Sequence, residues 1–373
     1  ALLLLAARSQ GSETPTAGAG TCLGAGPEGA CLGRPEEGGP GVGLLQRRAA
    51  GLQAGQGKQA AQDAPQASPP ATSPEPTAYL EATRPLAWFH APKTGTSLVN
   101  TLLRTPGLCP GVPADLVINR STYCQECNPF NDWMVAHFEY QYPPLKACPD
   151  GFVKWASHAS VGSNYEAVWK GHGVTLLRQP EQRLVSSYNH NLHDWPKEFL
   201  GPRPANISMA AYAEEVQGCY VKMLTRDNSD DSYCGGPGKP SRGEVEEAKA
   251  RLRAFAFVGL MEEWDLSVCL YHATFGGLCY GSELMDIRDA GGGTEQGRAY
   301  ETGELRGFVD SADGEVYALA QELFAERSRQ LGVSRASCGA CFRHAAAHWA
   351  PEPDGRPWGD VVWDSTLPGD WQA

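Results

Sequence analysis

From residue 86 onward, apolar runs of strand length alternate with apolar positions at helical spacing. Leu86-Ala87-Trp88-Phe89-His90 is a short apolar run, followed by a Pro/Gly loop and then by Ser97–Arg104, where Leu98, Thr101, Leu102 and Leu103 can share one helical face. The same order returns at Val174–Leu177, Arg178-Gln179-Pro180 and a predicted helix from about Glu181 to Asn191. Pro180 suits a first helical turn, where its missing N–H would have no partner. A third apolar run, Phe255–Leu260, precedes Glu262–Phe275, whose Trp264, Val268, Tyr271 and Phe275 recur at helical spacing, and Glu315–Leu331 carries Leu319, Leu323 and Phe324 on one side. A further strand is expected just before His158. Strands alternating with helices predict an α/β fold, a three-layer α/β/α domain around a central parallel sheet. No internal repeat is visible.

Composition limits that domain to part of the chain. Residues 1–78 contain no Phe, Tyr or Trp and only one Val or Ile, Val42, while Gly and Pro together fill 23 of those positions. Such a segment buries too little apolar area to offset the entropy of ordering its backbone, so 1–78 is read as a disordered Gly/Pro/Ala-rich stem. Residues 79–347 are read as one catalytic domain, and 348–373 as a Trp/Pro-rich C-terminal tail. The apolar run Ala1–Ala7 is too short to cross a bilayer, which needs about 20 residues. It is read either as the end of a signal anchor or as an apolar stretch of the stem.

The chain has 12 Cys among 373 residues, more than a reduced cytosolic enzyme usually carries. Two C-x-x-C pairs occur, Cys124/Cys127 and Cys338/Cys341. Zinc held by those four is one reading, and disulfides in an oxidising lumen are the favoured one. The sequons at Asn119 and Asn206 agree with a lumenal chain. A formal charge of −12 argues against nucleic acid as a partner, because a phosphate backbone is bound chiefly through clustered Lys and Arg.

The candidate chemistry lies in the loops. His90-Ala91-Pro92-Lys93-Thr94-Gly95-Thr96-Ser97 joins a predicted strand to a predicted helix, a position whose backbone N–H groups favour an anion. Gly95 lets the backbone approach closely, Lys93 adds a point charge, and Thr94, Thr96 and Ser97 add hydroxyls. Lys here precedes the Gly, unlike G-x-x-x-x-G-K-[ST], so an ordinary ATP or GTP loop is disfavoured. P-K-T-G-T-S after an apolar strand resembles the 5′-phosphosulfate loop of sulfotransferases that use 3′-phosphoadenosine 5′-phosphosulfate (PAPS). Arg178-Gln179-Pro180-Glu181-Gln182-Arg183-Leu184-Val185-Ser186 resembles the same family's 3′-phosphate motif, R-x-P-x-x-R-x-x-S. Gly218–Thr225 and Phe255–Glu262 are similar to segments of the membrane-bound Golgi heparan sulfate 2-O- and 6-O-sulfotransferase group. That group commonly has two glycines in the first loop, where this chain has one. Arg226–Ser241 and the tail have no counterpart in the resemblance.

The resemblance implies a P-loop-like fold, PAPS as co-substrate without a metal, and transfer of a sulfuryl group to a hydroxyl, on a carbohydrate or glycan acceptor. It implies that Lys93, Thr94, Gly95, Thr96, Ser97, Arg178 and Ser186 bind the donor, with Lys93 also on the leaving oxygen. It further implies the Golgi lumen and a single-pass type II topology, with contact to membrane only through an N-terminal anchor. Sulfuryl transfer also needs a base. His158 lies between the two motifs after a predicted strand, and the 6-O-sulfotransferases look similar there. His172 is the second candidate, with His90, His137, His190 and His193 behind it. Two rival functions are a P-loop kinase-like phosphotransferase and a non-catalytic carbohydrate-binding relative.

Overall fold

Four short parallel strands organise the protein, which a computed structural model describes over residues 76–110, 112, 118, 148, 151–154, 158–229, 232–284 and 300–348. By its contacts the chain divides into residues 1–67 and 68–373, and every described residue lies in the second unit. Cys124, Cys127, Asn119, His137 and the tail fall outside the described residues. Among those described, no helix is long and apolar enough to cross a membrane.

The strands are β1 (Leu86–Trp88), β2 (Phe152–Lys154), β3 (Gly173–Leu177) and β4 (Phe257–Leu260), in the spatial order β2-β1-β3-β4. β1 pairs with β2 through Leu86↔Phe152 and with β3 through Trp88↔Val174, and β3 runs beside β4 from Val174↔Phe257 to Leu177↔Leu260. Every residue of β1, β3 and β4 is buried, so both faces are covered. This explains why the strands read as unbroken apolar runs rather than as alternation. The one polar side chain in β3, Thr175, sends its hydroxyl across to the Phe89 carbonyl at 2.8 Å.

The helices are α1 (Pro76–Thr83), α2 (Leu98–Leu103), α3 (Pro180–Asn189), α4 (Lys197–Leu200), α5 (Met209–Val216), α6 (Cys219–Thr225), α7 (Arg242–Arg253), α8 (Trp264–Phe275), α9 (Ser311–Leu331) and α10 (Gly339–Ala347). The predicted strand–loop–helix units at 86–104, 174–191 and 255–275 are present, and Pro180 opens α3. α1 is not legible in the sequence. It is held from outside itself, with the Tyr79 hydroxyl donating to the Ala256 carbonyl at 2.9 Å and the Tyr79 ring 5.8 Å from Phe275. α7 begins with a capping box, Ser241 and Glu244 each bonding the other's backbone N–H. The start of α6 takes its caps from the chain entering α9. Asp310 accepts from the Gly218 N–H at 2.7 Å, and Asp313 accepts from Tyr220 and Val221 at 3.0 and 3.1 Å.

Disulfides join Cys109–Cys148, Cys219–Cys234, Cys269–Cys338 and Cys279–Cys341. They are consistent with a secreted or lumenal protein. The last two overturn the zinc reading of Cys338/Cys341, because each sulfur is bonded to a partner on or just after α8 and offers no thiolate. Asn206 is exposed, and Ser208 of its sequon caps α5.

Lys222 of α6 is fully buried, its Nζ donating to the Gly236 carbonyl at 3.0 Å. Burial pushes its ammonium down to about 8, with Asp313 and Asp310 pulling the other way. A lowered base binds fewer protons folded than unfolded, so stability rises as pH climbs from the folded value toward the ordinary 10.5. Urea melts are therefore expected to show the wild-type chain gaining stability between about pH 8 and about pH 10.5. Lys222→Met should flatten that rise and gain up to about 3 kcal/mol at neutral pH, at roughly 1.4 kcal/mol per pKa unit. A variant with the same pH slope as wild type would refute this account of Lys222.

Candidate functional site

The chain leaves β1 for β2 on one side and later returns to place β3 on the other, so the connectivity reverses between β1 and β3. In open parallel sheets the crevice for ligands lies beyond the carboxyl ends of the strands at such a point. The loops that follow β1 and β3 there are residues 90–97 and Arg178-Gln179, which are the two motifs singled out in the sequence.

The first loop is shaped by two residues in the left-handed region, Lys93 at φ +66° and Gly95 at φ +91°. For Lys93 this is a sparsely occupied conformation that the surrounding structure must enforce. At Gly95 no side chain fits, since a Cβ would come within 2.5 Å of Met261 Sδ and 2.7 Å of Trp264, just beyond β4. The loop therefore lies flat over the ends of the neighbouring strands. Thr94 is buried and donates to the Ala91 carbonyl at 2.7 Å, so it holds the loop's own shape. Thr96 stands 3.4 Å from His90 Nε2, Ser97 is buried, and α2 follows directly.

Arg178 is clasped at the end of β3. Tyr220 Oη donates to its carbonyl at 2.7 Å and accepts from its N–H at 3.1 Å, while its guanidinium lies 5.0 Å over the Tyr300 ring. Glu262, just after β4, accepts from the Gln179 N–H at 2.8 Å and from the Tyr317 hydroxyl at 2.7 Å, which ties this exit loop to α9. Ser186 is buried two turns into α3. Arg183 lies in the first turn of α3. It is wholly buried, forms an ion pair with the equally buried Asp194, and faces the Tyr220 ring at 5.5 Å. Burial pushes the Asp194 carboxyl up, but the Arg183 guanidinium and the His193 and Ser187 hydrogen bonds outweigh it and hold the group well below the usual carboxylate range.

The histidines separate by position. His172 opens β3, at the amino end of the sheet, and its Nδ1 donates to the Thr83 carbonyl at 2.7 Å, which removes it from the loops. His158 lies beyond the carboxyl end of β2. Its Nδ1 donates to the His90 carbonyl at 2.9 Å, so in the neutral ring Nε2 is the basic nitrogen. Asn228 donates to the His158 carbonyl at 2.6 Å and fixes the backbone beneath it. Around His158 stand the rings of His90 at 4.7 Å, Tyr233 at 5.0 Å and His193 at 5.2 Å, with His190 5.4 Å beyond His193. Asn191 and Leu192, both left-handed, turn the chain after α3 so that His193 meets His158.

Sequence reasoning missed Asp194 and Tyr233. Asp194 follows His193 directly, yet adjacency in sequence says nothing about a buried pair. Tyr233 belongs to Arg226–Ser241, which had no counterpart in the resemblance, and the Cys219–Cys234 bond next to it brings that segment to the site. Among the described residues one group could meet a metal ion, Asp194 with Cys219 and Cys234. Its two sulfurs are bonded to each other and its carboxylate to Arg183, so it is not built to hold one.

In chemical terms, the carboxyl edge of the sheet gathers a strained loop bearing Lys93, a second loop bearing Arg178, and an imidazole of fixed tautomer. Comparisons with protein-family models, with curated proteins and with solved structures found no match.

Proposed function

We propose that the protein is a PAPS-dependent sulfotransferase of P-loop-like fold, acting on a hydroxyl of a carbohydrate acceptor in the lumen of the Golgi. One observation supports the reading above the others. The P-K-T-G-T-S loop and the R-x-P-x-x-R-x-x-S segment leave adjacent strands at the reversal point, and His158 is bonded to the His90 carbonyl at the mouth of the first.

On this reading the loop 93–97 cradles the 5′-phosphosulfate, and Arg178 with Ser186 receives the 3′-phosphate. The acceptor oxygen attacks sulfur in line. Its proton passes to His158 Nε2, and the bond from sulfur to the bridging oxygen breaks with its electron pair leaving on the phosphate. Lys93 stabilises that growing charge, a contact that strengthens toward the transition state. Arg183 braces α3 instead of touching the donor.

Incubation with radiolabelled PAPS and a panel of glycans, proteins and small alcohols tests the reading directly. Label transfer that survives EDTA is the expected result, whereas a phosphotransferase would need Mg²⁺ and ATP. Lys93→Ala and Arg178→Ala should each lose about 1.5–3 kcal/mol of charge-assisted contact. Lys93→Ala should act mainly on kcat, and Arg178→Ala mainly on the PAPS KM. Unchanged PAPS kinetics in both would refute the donor assignment.

A further inference from the structure

Beside His158 stands a second imidazole that the donor-binding scheme does not use. His193 Nδ1 lies 3.1 Å from Asp194 Oδ1, and the other Asp194 oxygen is committed to Arg183. The Asp194 backbone N–H donates in turn to the Ser187 and Tyr212 hydroxyls at 3.1 and 3.2 Å, so the carboxylate is fixed from several sides. An ionised carboxylate only accepts hydrogen bonds, so His193 Nδ1 carries the hydrogen and Nε2 is the accepting nitrogen. Among the described residues no hydrogen bond engages that Nε2. The side chain is 19% exposed, where Asp194 is fully buried, so the ring joins a rigid anchor to the open side of the site. Its ring meets His158 edge to face at 5.2 Å and Tyr233 at 5.2 Å. Two neighbouring imidazoles thus have their hydrogens assigned, one to a backbone carbonyl and one to a buried carboxylate, and each presents an acceptor nitrogen.

We propose that His193, oriented by Asp194, is an acceptor-binding residue that takes a hydrogen bond from a second hydroxyl of the substrate, so that the site selects vicinal diols over simple alcohols. One hydroxyl gives its proton to His158 as it attacks sulfur, while its neighbour donates to His193 Nε2 and stays unsulfated. The inference rests on the sulfotransferase reading, because it assigns the two hydroxyls around the proposed base.

The test is a substrate-by-mutation cycle on the full chain with PAPS, using trans-cyclohexane-1,2-diol and cyclohexanol as acceptors. Wild type is expected to favour the diol by about tenfold in kcat/KM, the worth of one hydrogen bond. His193→Phe keeps a ring against His158 and Tyr233 but has no acceptor atom. It should lose about tenfold on the diol and stay within about twofold on cyclohexanol. His193→Gln, which retains an acceptor oxygen, should recover part of the preference. Equal losses on both alcohols would show a merely structural ring and overturn the proposal, as would a wild-type enzyme with no diol preference. If no alcohol, glycan or protein accepts label from PAPS, the sulfotransferase reading itself fails, a distinct outcome. A readout independent of activity is the ¹⁵N spectrum of the histidine rings. It should show His193 as the Nδ1–H tautomer, and the Nε2–H tautomer would overturn the anchoring by Asp194.

Discussion

His158→Ala is expected to abolish transfer while desulfated nucleotide still binds within about twofold of wild type, because a general base contributes rate and no donor contact. The loss should be about 10²–10⁴-fold in kcat. Position and tautomer both carry the argument. The two motif loops leave β1 and β3, and His158 comes from a different segment, beyond the end of β2. Its Nδ1 is spent on the His90 carbonyl, so the nitrogen that remains basic is Nε2. Titration calorimetry with the desulfated nucleotide, set beside turnover with PAPS, separates the two effects. A variant that keeps more than about a tenth of wild-type turnover, well short of that loss, would move the base elsewhere. His193 is then the next candidate, because His172 stands at the opposite end of the sheet.

The second large effect is on stability. Asp194→Ala should cost about 3–5 kcal/mol, since it strands the Arg183 guanidinium without its direct ion-pair partner in a site closed to water. Arg183 already has two nitrogens, Nε and Nη2, with no hydrogen-bond partner, while Asp313 and Asp310 act on it only through their charge, so its direct ion pair is with Asp194. The lowered Asp194 carboxyl stabilises the fold above the usual carboxylate range, and that contribution disappears only as pH falls below it. Calorimetry at neutral pH should show a drop in Tm of roughly 6–20 °C. The paired replacement Arg183→Met with Asp194→Leu should cost much less, since it removes both charges together. A single Asp194→Ala variant that melts like wild type would refute the strut role.

Elements that bury themselves by periodicity were legible in the sequence. β1, β3 and β4 are apolar runs, and α3, α8 and α9 repeat their apolar positions at helical spacing. The two motif loops were legible for another reason, since Lys93, Gly95 and Arg178 are constrained by local geometry that a short motif records. What could not be read depends on contacts between distant segments. α1 stays in place through Tyr79, which reaches Ala256 and Arg327. Lys222 looks like an ordinary helical lysine and is sealed inside. Arg183 reads as the charged start of a helix until Asp194, brought round by the left-handed turn at 191–192, supplies its partner. Tyr233 sits among glycines and prolines with no periodicity, and it is brought to His158 by the Cys219–Cys234 bond and by Asn228, whose side-chain amide donates to both the His158 and Tyr233 carbonyls.

The spans of those disulfides also set an order of events at the ribosome. Cys219 and Cys234 are 15 residues apart, whereas Cys269 and Cys279 must wait 69 and 62 residues for Cys338 and Cys341. At synthesis rates of about 5–20 residues per second, the short staple can close within about 3 s of its first cysteine's emergence, and the long pair only after roughly 3–14 s. Throughout that interval the two α8-side thiols are open to capture by wrong partners, although all four strands have already been made. The start of α10, with Cys338 and Cys341, therefore acts as a late clasp, and a chain interrupted before residue 338 would leave both thiols for an oxidoreductase to find.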